Sequence, residues 1–141
     1  MPMSESDDPV SILPVSECWN LLEQAAVGRL VTAVDGHPEI FPVNFVVQRK
    51  TVLFRTAGGT KLASAGINNQ VLFEADAHDD TSGWSVVIKG RTRSVRDRDE
   101  IAEAQQAGLL SWIATRQPHY VRILPTSITG RRFRFGSAPQ S

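Results

Sequence analysis

A single cysteine, Cys18, excludes an internal disulfide framework and leaves no paired thiolate spacing for a structural zinc site. An excess of either charge is also missing, because 15 Lys and Arg face 15 Asp and Glu. No global field therefore gathers nucleic acid or an anionic membrane, and any anion site has to be local. No apolar run approaches the roughly 18 residues of a membrane span, and the polar, acidic start from Met1 to Asp8 is unlike a signal peptide. The expectation is a soluble, cytoplasmic protein in a reducing compartment, with neither nucleic acid nor membrane among its partners. His37, His78 and His119 lack any i, i+3 or i, i+4 partner, so no metal is expected. On the apolar stripe of a helix, Cys18 reads as a small buried hydrophobe and receives no role.

What is present suits one core. At 141 residues the chain supports a single domain, read here as residues 14–135. Residues 1–13 and 136–141, rich in Pro, Ser and small or acidic residues, are expected to be disordered tails. Ser16 is placed to cap a helix whose stripe is Cys18, Leu21, Leu22 and Ala25, with Gly28 as its stop. Two β-rich runs then flank Asp35-Gly36, a hairpin dipeptide, and a second turn at Arg49-Lys50 leads into a third strand over Thr51 to Thr56. Further strands are expected over Gln70 to Ala77 and Trp84 to Val95, extended chain resumes over Tyr120 to Leu124, and Thr126 to Phe135 forms the last strand or strand pair. Short helices are expected from Thr60 to Gly66 and, begun by Asp97 with Glu100, from about Arg98 to Gly108. Strands joined by tight turns are antiparallel, so the pattern predicts a mainly β fold, an antiparallel barrel with helical decoration.

The most informative stretch is Phe54-Arg55-Thr56-Ala57-Gly58-Gly59-Thr60-Lys61. A strand end presents a guanidinium and a hydroxyl, glycines allow close backbone approach, and a helix then opens with Thr and Lys. Free N–H groups, a bidentate Arg55 and the point charge of Lys61 would cradle a phosphate. The same pattern also reads as a glycine loop with a Thr cap and two solvated cations, and it is not a P-loop. The alternating Arg131-Arg132-x-Arg134 on a terminal strand reads as a solvated face. Trp19 and Trp112 read as core or interface anchors.

Taken together, the ordered series Cys18-Trp19-x-Leu21-Leu22, Gly28-Arg29-Leu30, Pro42-Val43-Asn44-Phe45, Phe54-Arg55-Thr56, Gly59-Thr60-Lys61-Leu62, Ser82-Gly83-Trp84-Ser85-Val86 and Gly90-Arg91 resembles the small bacterial pyridoxamine 5'-phosphate oxidase-like flavin-binding proteins, in their nitroimidazole-reductase-like branch. The resemblance spans about residues 14 to 132. It implies a six- to seven-stranded antiparallel split β-barrel with two or three short helices, working as a homodimer with FMN at the subunit interface. It further implies that Pro42, Val43, Asn44 and Phe45 line the isoalloxazine ring through their backbone, that Arg55, Thr56, Thr60 and Lys61 hold the phosphate, and that Trp84 and Ser85 approach the flavin across the dimer. Asn44 also reads as an amide satisfying neighbouring backbone, and Trp84 also reads as core.

Flavin oxidoreduction of a small-molecule substrate, with NAD(P)H as a possible reductant, is the activity this resemblance implies. Hydride chemistry at a flavin asks for no side-chain acid or base, in keeping with the lack of an evident catalytic dyad. Pyridoxamine 5'-phosphate oxidases proper carry a C-terminal Trp and Arg region that has no counterpart after Phe135, so vitamin B6 oxidation is not expected. Two alternatives share the fold: a deazaflavin-dependent reductase, whose acidic tail would call on Lys89, Arg91 and Arg93, and a non-catalytic flavin-binding or sensing module.

Overall fold

A computed structural model describes residues 8–34, 36–57, 70–109 and 118–136. Within them run seven strands, β1 (Val10–Ile12), β2 (Val27–Val34), β3 (His37–Gln48), β4 (Thr51–Ala57), β5 (Gln70–His78), β6 (Ser82–Ser94) and β7 (Pro118–Arg134), with helices α1 (Val15–Gln24) and α2 (Arg98–Gln106). All pairings are antiparallel. Strands β7-β4-β3-β2-β5-β6 follow one another and β6 returns to β7, which closes the sheet into the expected split barrel, with β1 added beside β7. Closure removes most of the exposed sheet edge that so short a chain would otherwise present.

Alternation along the strands fills the inside. Phe45, Phe54 and Phe73 are fully buried there with Leu30, Val86 and Ile88, each large side chain contributing about 1.5–3 kcal/mol by burial. Phe45 and Phe73 meet edge to face with centroids 4.8 Å apart. One end of the barrel is covered by α1, which turns Cys18, Trp19, Leu21 and Leu22 inward. A second, smaller cluster lies outside the barrel, where Leu53, Val95, Leu109 and Tyr120 pack with Ala104 of α2.

Three local expectations change. Helix α1 begins at Val15 after Pro14 and has no side-chain cap, so Ser16 does not cap it; the fixed φ of Pro14, −60°, prepares the first turn instead. Gly28 does not end that helix but lies in β2, where a Cβ would strike the Phe73 ring, so the glycine is a packing requirement of the barrel. Nor is the N-terminal segment disordered through residue 13: Val10, Ser11 and Ile12 pair with Phe133, Arg132 and Arg131, and Leu13 is buried. Backbone pairing to the long β7 orders a segment too short to signal a strand by its own pattern. The expected start of α2 is present, with an Asp97 carboxylate oxygen accepting from the Asp99 and Glu100 N–H groups at 3.1 Å. The last strand is continuous, carrying Pro125 opposite Gly90 at a bulge where a proline costs no ladder bond. The expected helix at Thr60 to Gly66, and Trp112, lie outside the described residues.

Candidate functional site

The barrel is split between β3 and β4. Their ladder runs only from Gln48↔Thr51 to Phe45↔Phe54, after which the two strands part, while β4 stays paired with β7 from Val52↔Ile123 to Ala57↔Pro118. Residues 37–44 of β3 thus pair with β2 alone among the described residues. The Phe45 N–H donates to the Ala26 carbonyl on the β2 side at 3.1 Å. Alternation then turns the N–H and C=O of Asn44 and the C=O of Pro42 toward the open edge. Pro38 and Pro42 stand where their missing N–H faces that edge, the position a strand proline tolerates.

Side chains sort by face. Val43, Phe45 and Phe54 are buried in the barrel core, so Pro42 and Asn44, which alternate with them, lie on the outer face. Arg55 follows Leu53 onto the outer, α2-side face, where its Nη1 donates a long hydrogen bond, 3.5 Å, to the Leu109 carbonyl. Thr56 is buried on the opposite face from Arg55, and Trp84 packs against the barrel core. Ser85, between Trp84 and Val86, faces outward on β6, three strands from Asn44, or about 14 Å at the usual strand spacing. Of the residues singled out in the sequence, the fold therefore brings Pro42, Asn44 and Arg55 to one outer face, turns Val43, Phe45, Thr56 and Trp84 inward, and leaves Ser85 apart. Thr60 and Lys61 lie outside the described residues.

The outer face beside Pro42 holds a cluster that the sequence did not reveal. Arg29 pairs in register with both Pro42 and Glu74, and its Nη1 donates to Glu74 Oε1 at 2.8 Å and Asp76 Oδ2 at 2.9 Å. Burial, then the neighbouring Asp76 carboxylate, pushes Glu74 up to about 7, while hydrogen bonding to Glu74 draws Asp76 below its ordinary value. The pair thus keeps a proton near neutrality, held by the less exposed Glu74. At the far end of β7, Ser94 Oγ lies 3.1 Å from His119 Nε2; burial, then nearby Arg96, lowers the His119 pKa and favours the neutral ring. Among the described residues no group of three or more His, Cys, Asp or Glu could hold a metal.

Similarity to known proteins identifies the family. A solved protein of Mycobacterium smegmatis, described as an FAD-binding protein, is 62% identical, with 89% of this chain and 99% of that one aligned at a TM-score of 0.80. An FAD-binding protein of Mesorhizobium loti is 25% identical over 87% of this chain and 97% of its own, with a TM-score of 0.70. An uncharacterised protein of Mycobacterium tuberculosis is 50% identical over 94 residues, 67% of this chain and 86% of that protein. The family model described as pyridoxamine 5'-phosphate oxidase matches residues 14–132. With its closed antiparallel ring, its split beside Asn44 and Arg55 and that match across most of its length, the chain belongs to the pyridoxamine 5'-phosphate oxidase family.

Proposed function

We propose that this protein is a cytoplasmic, flavin-binding oxidoreductase that works as a homodimer and seats the isoalloxazine ring at the open edge of β3. The observation that carries the reading is the short β3–β4 ladder, which ends at Phe45↔Phe54 and leaves residues 37–44 of β3 paired with β2 alone among the described residues, beside Arg55. A flavin's pyrimidine edge asks for such alternating N–H and C=O groups, and its phosphate asks for a guanidinium. Val43 and Phe45, whose backbone groups face β2, serve by anchoring the strand in the core. Arg55, with Thr60, Lys61 and the backbone of Thr56, suits the phosphate that FMN and FAD share. Two solved relatives described as FAD-binding favour the dinucleotide over FMN.

When bound, the flavin supplies hydride acceptance and donation to a small-molecule substrate, with NAD(P)H as reductant. Ser85, too far from Asn44 within one chain, serves the site of a second copy, with Trp84 backing its strand.

The test is to purify the protein, record its visible spectrum, denature it and weigh the released small molecule. Released FAD or FMN supports the reading and names the form. A deazaflavin or haem would keep the fold and replace the cofactor, and a colourless protein that also ignores added flavin would end the proposal. Arg55→Ala should weaken flavin binding about tenfold or more, the worth of one charge-assisted hydrogen bond. A sedimentation mass equal to one 15.5 kDa chain would contradict the dimer.

A further inference from the structure

A hollow of about 320 Å³ opens on the outer face where β2, β5 and β6 meet β7. Its floor is apolar, from Val31, Ala33 and Leu72, and its rim carries Lys89, Arg91 and Thr126. The β-bulge between Lys89 and Gly90 shapes it. There β7 comes so close that a Cβ on residue 90 would strike the Leu124 carbonyl oxygen, and Thr126 Oγ1 donates to the Lys89 carbonyl at 3.0 Å. Bulges re-aim side chains in this way next to binding sites.

The charge around this hollow is one-sided. No carboxylate lines it, and neither Lys89 nor Arg91 has an acidic partner among the described residues. The cleft below α2 differs: Arg49, Arg93 and Arg122 line it together with Asp97, Asp99, Glu100 and Glu103. Two uncommitted cations over an apolar floor complement a ligand that joins a flat, weakly polar body to an anion. The floor also leads toward the split. Val31 pairs with Leu72 on one side and with Ile40 on the other, and Ile40, 62% exposed, precedes Pro42 by two residues on the same face of β3.

We propose that this hollow binds a flat, phosphate-bearing small molecule of mononucleotide size, its phosphate held by Lys89 and Arg91 and its ring lying on Val31 and Leu72. None of these residues belongs to the flavin seat, so the site stands whether or not the flavin reading does. The chemistry is shared by a free mononucleotide and by the phosphoadenosine end of a phosphorylated pyridine nucleotide. A ligand anchored here and extending over Val31 and Ile40 reaches the open edge of β3, three strands away.

The experiment titrates the protein as purified with AMP, with adenosine 2',5'-bisphosphate, with adenosine and with inorganic phosphate, followed by amide chemical shifts and calorimetry. Both nucleotides should bind and shift residues around Leu72 and Lys89, with adenosine and phosphate alone weaker. The K89E/R91E variant should bind the nucleotides at least about tenfold more weakly, whereas K50E, which reverses an exposed cation in the β3–β4 turn, should bind them as the parent does. Tighter binding of the bisphosphate than of AMP assigns the site to a phosphorylated pyridine nucleotide, and equal binding to a free mononucleotide. No nucleotide binding by the parent, including the case in which a second copy covers this face, overturns the proposal. So does equal weakening in K89E/R91E and K50E. Flavin content, read from the spectrum of the same samples, should not change in either variant, which separates failure here from failure of the flavin reading.

Discussion

Two clusters in this molecule are built from the same ingredients, arginine and carboxylate, with opposite results. Below α2, Glu100 meets two guanidinium groups, Arg93 at 2.8 Å and Arg122 at 2.9 Å. Arg93 first, and Arg122 after it, hold the Glu100 carboxyl down at about 2. On the outer sheet face the ratio is inverted: one half-exposed Arg29 serves Glu74 and Asp76, and burial leaves Glu74 up at about 7. Stoichiometry and position decide between these outcomes. Two cations to one carboxylate fasten a helix to the barrel, whereas one cation to two carboxylates leaves a proton in play on the face that carries Pro42 and Asn44.

The largest effect should come from opening the first cluster. Arg122 is 4% exposed and gives its remaining N–H groups to Thr51 Oγ1 at 2.9 Å and Gln48 Oε1 at 3.2 Å. Glu100→Gln keeps the shape but leaves a buried guanidinium without its countercharge, at a cost of about 3 kcal/mol. Urea denaturation should show the midpoint falling with an unchanged slope. Pairing the change with Arg122→Met should recover much of the loss, because an apolar side chain of similar length has no charge to strand. If Glu100→Gln leaves the midpoint in place, the cluster is not what fastens α2.

How much of this was legible in the sequence depends on range. The β2–β3 hairpin, the turn at Arg49 and Lys50 and the Asp97 cap are set by neighbours, and the structure places them as read. Arg49 and Lys50 take φ of 53° and 56°, the paired left-handed geometry of a two-residue hairpin turn, here without glycine. Where a distant partner decides, the reading failed. Gly28 looked like a helix stop because nothing nearby announces Phe73, and residues 10–12 looked like tail because β7 lies more than a hundred residues on. The split beside Asn44 and Pro42 follows from β3 and β4 parting after Phe45↔Phe54, which no local pattern reports. Both arginine clusters were hidden for the same reason: Glu74 and Asp76 show as an i, i+2 pair, but Arg29 stands 45 residues away. The family resemblance named Pro42, Asn44 and Arg55, which the fold brings to one outer face, because it carries long-range pairing within the spacing of short motifs. Even so it grouped Thr56 with Arg55, side chains that a strand turns to opposite faces.

A smaller effect, of opposite sign in the two clusters, should appear on titration. The folded-state pKa of Glu100 lies below its ordinary 4.5, so its contribution to stability is present above about 4.5 and is lost as pH falls toward 2. Glu74 lies above its ordinary value, so its contribution is full below about 4.5 and fades as pH rises through 7. Denaturation midpoints measured from pH 3 to 8 should rise and then sag. Glu100→Gln should flatten the acid limb, and Glu74→Gln should remove the decline toward neutrality. If both variants keep the parent's profile, the two clusters do not differ in proton affinity.

The smallest change in stability, and the sharpest separation of the clusters, should follow Arg29→Ala. The Arg29 side chain is 49% exposed, so its ion pairs are screened by solvent, and their loss should cost less than about 1 kcal/mol. That cost should shrink further in high salt, whereas the Glu100→Gln effect beneath α2 should hardly respond. The proton affinity of the carboxylates should nevertheless move. Arg29 is what lowers Glu74 against burial and the Asp76 charge, so without it Glu74 should titrate still higher. Carbon-detected NMR of the Glu74 carboxyl can follow this directly. A Glu74 titration that stays in place or falls in Arg29→Ala would mean that the guanidinium does not govern the proton on this face, and the contrast with Glu100 would rest on burial alone.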